Sequence, residues 1–600
     1  MSTIMISLKQ RMMFVKILTF IMMVIIMGLT ACSRQASNTT DSESSSSKVE
    51  TAENEQDPAK ETLEVQPTNS PTPYVSRIAV ATEEVQVVWG KCGKDAEWSY
   101  DTGSKILYIE GKGIVDQKIK KTKGYVSDEG KKLEYSIKEI RIGEGITALD
   151  CGSLFQNIIK EEDAEEIKII LPDSLKKIGV GTFSQNDAEY IRHIHLPRKL
   201  RYIEGGAFWG IGDGAYPQAY SYKEDVENIS NRYKKKLEIT VDNKNPYYIV
   251  KNGVLFTKDA KKLVYYPPEK TDKVYRIPKS VTRIEPLAFA GNSFLKEVVL
   301  PKGLKVIGAG AFFNDHRLAK INLEQAKKLK RIYDFNGWSD KISGWTGVPE
   351  GQAEEVLYGD DEHYDDPAED EKYKKDSYSL GTFAGTNLKS IQFPDDLQYV
   401  SYNTFKNCYH LKKISIGESY AGEINPDRIG DKKGFFLPDG SAKEIRVSER
   451  NRHYKVRNHI LYSKDGKTVY KVLKSYCDST LVLDKNVRKI ASKAFSGAGK
   501  PRKVVALGNL KQISREAFAV SSIKSFEAYG DVDTIGIDAF FMCYSLQKFI
   551  CHGTVKHVGA QAFYYAANLG ELSLGKNIES IGTCAFEGCS GFKKPRVKKK

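Results

Sequence analysis

The chain has 600 residues, 40% apolar and 28% charged, with a formal net charge of +14. That apolar share is below the globular average and supports only a thin core, although a repeat array of this length can form one continuous body. Nine cysteines exclude a scheme in which every thiol pairs within the chain.

In chain order, Lys9, Arg11 and Lys16 form a basic start, and Ile17–Leu29 is an apolar run too short for a confident membrane span. Leu29-Thr30-Ala31-Cys32 follows directly. It resembles a bacterial lipobox, which implies a lipoprotein signal peptide over 1–31 and a diacylglycerol on the Cys32 thiol. A plain secretory signal or an anchor helix is the competing reading. Cys32 would account for the odd cysteine. Residues 32–85 then form a lipidated stalk. Ser33–Pro73 is rich in Ser, Thr, Glu and Pro and cannot bury enough surface to fold. A flexible segment of about 40 residues spans roughly 35–40 Å. Of the +14, residues 1–32 carry +3 and residues 33–74 carry −5, which leaves +16 on the remainder.

Internal repeats dominate that remainder. "VTRIEPLAFAGNSFLKEVVLPKGL" (281–304), "LQYVSYNTFKNCYHLKKISIG" (397–417) and "VDTIGIDAFFMCYSLQKFICHG" (532–553) share the frame I-x-x-I-G-x-x-A-F-x-x-C-x-x-L-x-x-I-x-L-P-x-x-L. Phe495, Phe518, Phe540, Phe563 and Phe586 mark it at steps of 23, 22, 23 and 23 residues. One such unit cannot bury its own apolar face, so neighbouring coils must stack. The Ile, Phe and Leu positions form inward ladders, the Gly after Ile suits a tight turn, and L-x-x-I-x-L-P reads as one strand per coil. About twelve coils are expected, centred also on Phe155, Phe183, Phe208, Phe289, Phe312, Phe383 and Phe405. The fold class is a β-rich repeat solenoid with a small N-terminal β cap and a disordered stalk.

The frame resembles the leucine-rich repeats of BspA-like bacterial surface proteins. "CGKDAEWSYDTGSKILYIEGKGIV" (92–115) is similar to the unit that precedes the repeats in that family, which implies a β cap over 86–135. Residues 241–281 and 447–472 are similar to its hairpin-bearing long coil. The solenoid would cover 136–592, with insertions near 211–280, 333–378 and 418–480 and a basic tail over 593–600.

Signals for chemistry are weak. No G-x-S-x-G, H-E-x-x-H or P-loop occurs, so no enzyme activity, cofactor or metal is expected. Cys408, Cys543 and Cys589 share a frame position with Ala566 and read as packing residues in a small slot, with Cys551 at an inward strand position. Cys584 is off-pattern, and whether it bonds Cys589 stays open. His193 and His195 share a strand face without an identifiable third ligand. The acid-rich 333–378 insertion lacks a calcium-loop frame.

The outward strand positions make the candidate ligand face: Lys168, Ile170, His193, His195, Glu297, Val299, Lys320, Asn322, Ser390, Gln392, Lys413, Ser415, Lys548, Ile550, Glu571 and Ser573. The resemblance implies adhesion to a protein or glycoprotein on host or neighbouring cells, from a lipid-anchored position on the bacterial surface. The basic body favours acidic partners, and no nucleic acid is expected. The alternative is an envelope structural component or an accessory to a wall-glycan enzyme.

Overall fold

The computed structural model describes residues 87–119, 137–155, 167–183, 191–208, 237–332, 381–425, 434–437 and 442–591, apart from single positions within them. The signal segment, the stalk, the 333–378 insertion and the basic tail lie outside the described residues.

Three antiparallel strands come first: β1 (Val87–Lys91), β2 (Ala96–Asp101) and β3 (Ile106–Gly111). In β2, buried Ala96, Trp98 and Tyr100 alternate with outward residues, so the cap has one core face. The other edge of β3 pairs in parallel with Glu139–Ile142, a coil strand. The cap therefore covers the first coil by continuing its sheet, which removes an open edge.

The expected strand recurs from coil to coil. One run stacks Thr480–Leu483, Lys503–Ala506, Ser525–Ala528, Lys548–Cys551 and Glu571–Ser573 in parallel. Each coil carries more than the one strand its sequence suggests. A second parallel sheet forms from short strands ending on the Ile of I-x-x-I-G, such as Arg283–Ile284 and Val306–Ile307. Two residues are too few for alternation to register in sequence.

Between the sheets lies a column of phenylalanines. Phe518–Phe540 and Phe540–Phe563 stack with centroids 4.7 and 4.9 Å apart and planes within 3°. Burying each ring from water contributes roughly 2–3 kcal/mol, and the near-parallel offset packing is a favourable geometry.

The turn chemistry differs from expectation. The Gly after Ile is required by close approach of the preceding coil: a Cβ on Gly308 would lie 2.4 Å from the Pro286 nitrogen. Left-handed backbone falls instead two residues before and two after the Phe, as in Glu516 and Val520, Asp538 and Met542, and Gln561 and Tyr565. Cys584 occupies the first of these positions in the last coil, with φ +52°.

The core is divided. Two hairpins, at residues 248–265 and 454–472, place extra antiparallel strands at the head of each new run of the second sheet, which also breaks there. In the first, Val254 and Phe256 enter one core cluster while Leu255 and Val264 enter the preceding one. In the second, Ile460 and Val469 face one cluster and Leu461 faces the other. Each hairpin is a septum buried on both faces. At each septum the first sheet is interrupted: Glu238–Val241 and Glu444–Val447 are terminal strands, and new sheets begin at Val274–Arg276 and Thr480–Leu483.

Candidate binding surfaces

The sixteen outward residues lie on the solvent side of the first sheet, exposed or half-buried. Coil stacking sets many of them against charges from the next coil. Lys320 pairs with Glu297 (3.0 Å), Lys413 with Glu444 (3.4 Å), Lys548 with Glu571 (2.9 Å) and His193 with Glu238 (3.3 Å). His195 Nδ1 lies 2.9 Å from the Thr240 hydroxyl. Asn322 sits past the strand end and brackets the Leu300 backbone, accepting from its N–H at 2.7 Å. The rest of the face is mainly Ser390, Gln392, Ser415 and Ser573, with apolar Ile170, Val299 and Ile550 and charged Lys168. Exposed pairs add little stability, typically under about 1 kcal/mol each, but they neutralise much of the charge on this face. Nearby, Lys503 and then His552 hydrogen-bond Glu527 and hold its carboxyl at about 2.

Unpaired charge lies one position earlier in the frame. Lys273, Lys296, Lys389, Lys412 and Lys443 are exposed, and none makes an ion pair among the described residues. Their backbones stack directly. Lys296 N–H donates to the Lys273 carbonyl (2.8 Å), Ala319 to Lys296 (3.0 Å), Lys389 to Ala319 (3.3 Å), Lys412 to Lys389 (3.0 Å) and Lys443 to Lys412 (2.9 Å). Five lysines thus line six successive coils at roughly 4.8 Å per coil. Sequence reasoning missed this column, although Leu295-Lys296, Leu388-Lys389 and Leu411-Lys412 repeat the same dipeptide in the frame.

The cysteine slot is buried as expected, but it is a hydrogen-bonding position. Cys408, Cys543 and Cys589 thiols donate to the carbonyls of Phe383, Phe518 and Phe563, one coil back, at 3.0, 2.9 and 3.0 Å. The same slot holds Asn292, Asp315, Thr386 and Ser521 in other coils. Burial pushes the Cys408 and Cys543 thiols up to about 11, far from reactive thiolates. Cys551 is buried, and no disulfide joins Cys584 to Cys589. No cluster of metal-ligating side chains forms among the described residues.

Each septum also opens a cleft, of about 930 Å³ beside the first hairpin and about 500 Å³ beside the second. Glu238, Ile239, Val250 and Asn252 line one; Glu444, Ile445, Val456 and Asn458 hold the matching places in the other. The two clefts occupy matching places in the fold.

A family model described as "BspA type Leucine rich repeat region" matches in six copies over residues 134–231, 271–337, 377–425 and 472–593. Among solved structures, a leucine-rich repeat protein from Eubacterium ventriosum is 14% identical, over 85% of this chain and 97% of that one, with a TM-score of 0.28. The pneumococcal vaccine antigen PcpA is 18% identical, over 70% and 93%, with a TM-score of 0.32. A leucine-rich cell surface protein from Faecalibacterium prausnitzii is 15% identical, over 61% and 96%, with a TM-score of 0.28. No curated protein matches.

Proposed function

The chain belongs to the BspA-type leucine-rich repeat family, and from that premise we propose that it is an adhesin-like binding protein of the bacterial cell surface. Its partner is an acidic protein or glycoprotein on a host or neighbouring cell. Cys32 carries the lipid that holds it to the membrane. No catalytic step is assigned to it.

The observation that supports this reading most is the lysine column. Five exposed ammonium groups without acidic partners among the described residues, on a hydrogen-bonded backbone ladder, are arranged for a partner with many negative charges. Neutralised neighbours on the strand face leave that column as the local source of positive potential. Such attraction speeds encounter and weakens as salt screens it.

The test is binding of the purified protein to matrix proteins, a sialylated glycoprotein and an anionic wall polymer, at low and moderate salt. Salt-sensitive binding to at least one member is expected. The triple variant K296E/K389E/K412E should lose about tenfold or more in affinity. A control triple with the same charge change, K112E/K474E/K511E, should stay within about twofold. Silence across the panel, or equal losses in both triples, rejects the proposal.

A further inference from the structure

We propose that the two septal clefts are strand-receiving sites, each taking an extended segment of a partner polypeptide onto an open sheet edge. The partner is a polypeptide because the groups on offer are backbone ones. Asp242 N–H donates to the Leu196 carbonyl at 3.0 Å. Alternation in a parallel ladder then sets Glu238 and Thr240 toward His193–Leu196, and Ile239 and Val241 away from it. Ser448 N–H donates to the Ile416 carbonyl at 3.0 Å, which turns Ile445 and Val447 away from Lys413–Ile416 in the same manner. Among the described residues none of these four amides makes a hydrogen bond on its outer side. Among the described residues no strand pairs with that outer side in either place, because the hairpin's strands belong to the second sheet; only the entry to the second edge is met, where Lys474 N–H donates to the Ala442 carbonyl at 3.3 Å.

Around each edge the walls suit a single strand. Ile249, Val250 and Pro267 supply apolar surface in the first cleft, and Val456, Leu473 and Tyr476 in the second. An incoming strand would place alternate apolar side chains against these and turn the others to solvent. A four-residue edge matches a segment of roughly 13 Å. The recurrence of edge and floor at both septa, 206 residues apart, argues for a built feature over a local packing fault. The lysine column takes no part, so this site and the acidic-partner reading stand or fall separately.

The probe is a fluorescent peptide of eight alternating Thr and Val residues with a lysine at each end, and an analogue N-methylated at alternate backbone nitrogens. In the free protein, Ile239 and Val241 amides should exchange faster than those of Glu238 and Thr240. Saturating peptide should slow Ile239, Val241, Ile445 and Val447 by about tenfold or more, with two sites per chain. The N-methylated analogue, with the same side chains, should bind about tenfold more weakly. Val456→Glu should reduce the stoichiometry to one. Equal affinity of the two peptides, protection elsewhere, or no saturation at millimolar peptide overturns the proposal. So does slowing of the same amides by protein concentration alone, which would make the edges an interface between copies.

Discussion

The two septa share a framework and differ on their surfaces. Asn245 donates to the Pro197 and Leu200 carbonyls and accepts from the Tyr247 and Tyr248 amides. Asn451 does the same with Gly417, Tyr420, His453 and Tyr454. Both are almost fully buried, and each ties the chain leaving the first sheet to the turn of the coil before. Asp259 and Asp465 order the two hairpin turns through Thr257 and Ser463. Around these fixed points the cleft walls diverge: Pro267, Lys270 and Thr271 in the first stand where Leu473, Tyr476 and Cys477 stand in the second. Larger side chains at the first two of those positions accompany the smaller cleft. Buried hydrogen bonds hold the geometry while the cleft lining is open to change.

The largest effects should come from the paired asparagines. Asn245→Ala and Asn451→Ala each strand several buried backbone groups, at a cost of about 3 kcal/mol, read as a fall in the urea midpoint. If one costs far less than the other, the two septa are not equivalent.

Next come the tyrosines. Tyr248 hydroxyl accepts from Ile203 N–H (2.9 Å) and donates to the Arg201 carbonyl (3.2 Å), whereas Tyr454 hydroxyl donates to the Gly422 carbonyl. Tyr248→Phe should cost about 2 kcal/mol and Tyr454→Phe about 1 kcal/mol, because only the first leaves an N–H without its acceptor. The same urea titrations read both.

The smallest effect is on the turn aspartates. The Thr257 hydroxyl, then the Lys261 amide, hold the Asp259 carboxyl below its ordinary value; Ser463 and Lys467 do the same for Asp465. The folded chain therefore releases these protons at lower pH than the unfolded chain does. The stability they add is complete above the unfolded aspartate value and is lost as pH falls through the depressed one. Asp259→Asn and Asp465→Asn should each flatten the acid limb of the stability–pH curve slightly and by similar amounts, since both carboxyls are largely exposed.

Much of this architecture is visible in the residues. The 22–23-residue step of the phenylalanines, the small slot at Cys408 and the likeness between the two hairpin segments need only the chain itself. What escaped has physical reasons. Arg283–Ile284 and its neighbours are too short to alternate visibly. The pairing of Lys320 with Glu297 depends on register between coils, which no local window contains. The septa were legible as hairpins but not as partitions, because both faces of Val254-Leu255-Phe256 are apolar and period-two reasoning assigns one face to solvent. The lysine column was in plain sight, one residue before the positions singled out for binding.

The period-two sharing of hairpin side chains also bears on how the body comes apart. Melting of one core strips alternate side chains from its septum but leaves the others, and the antiparallel ladder, in place. Each septum thus works as a firebreak: fraying that starts at the last coil can travel through Phe586, Phe563 and Phe540 and still meet a hairpin half held by the next core. On this reading the chain lets go in three instalments, each about as long as the run of coils between two hairpins.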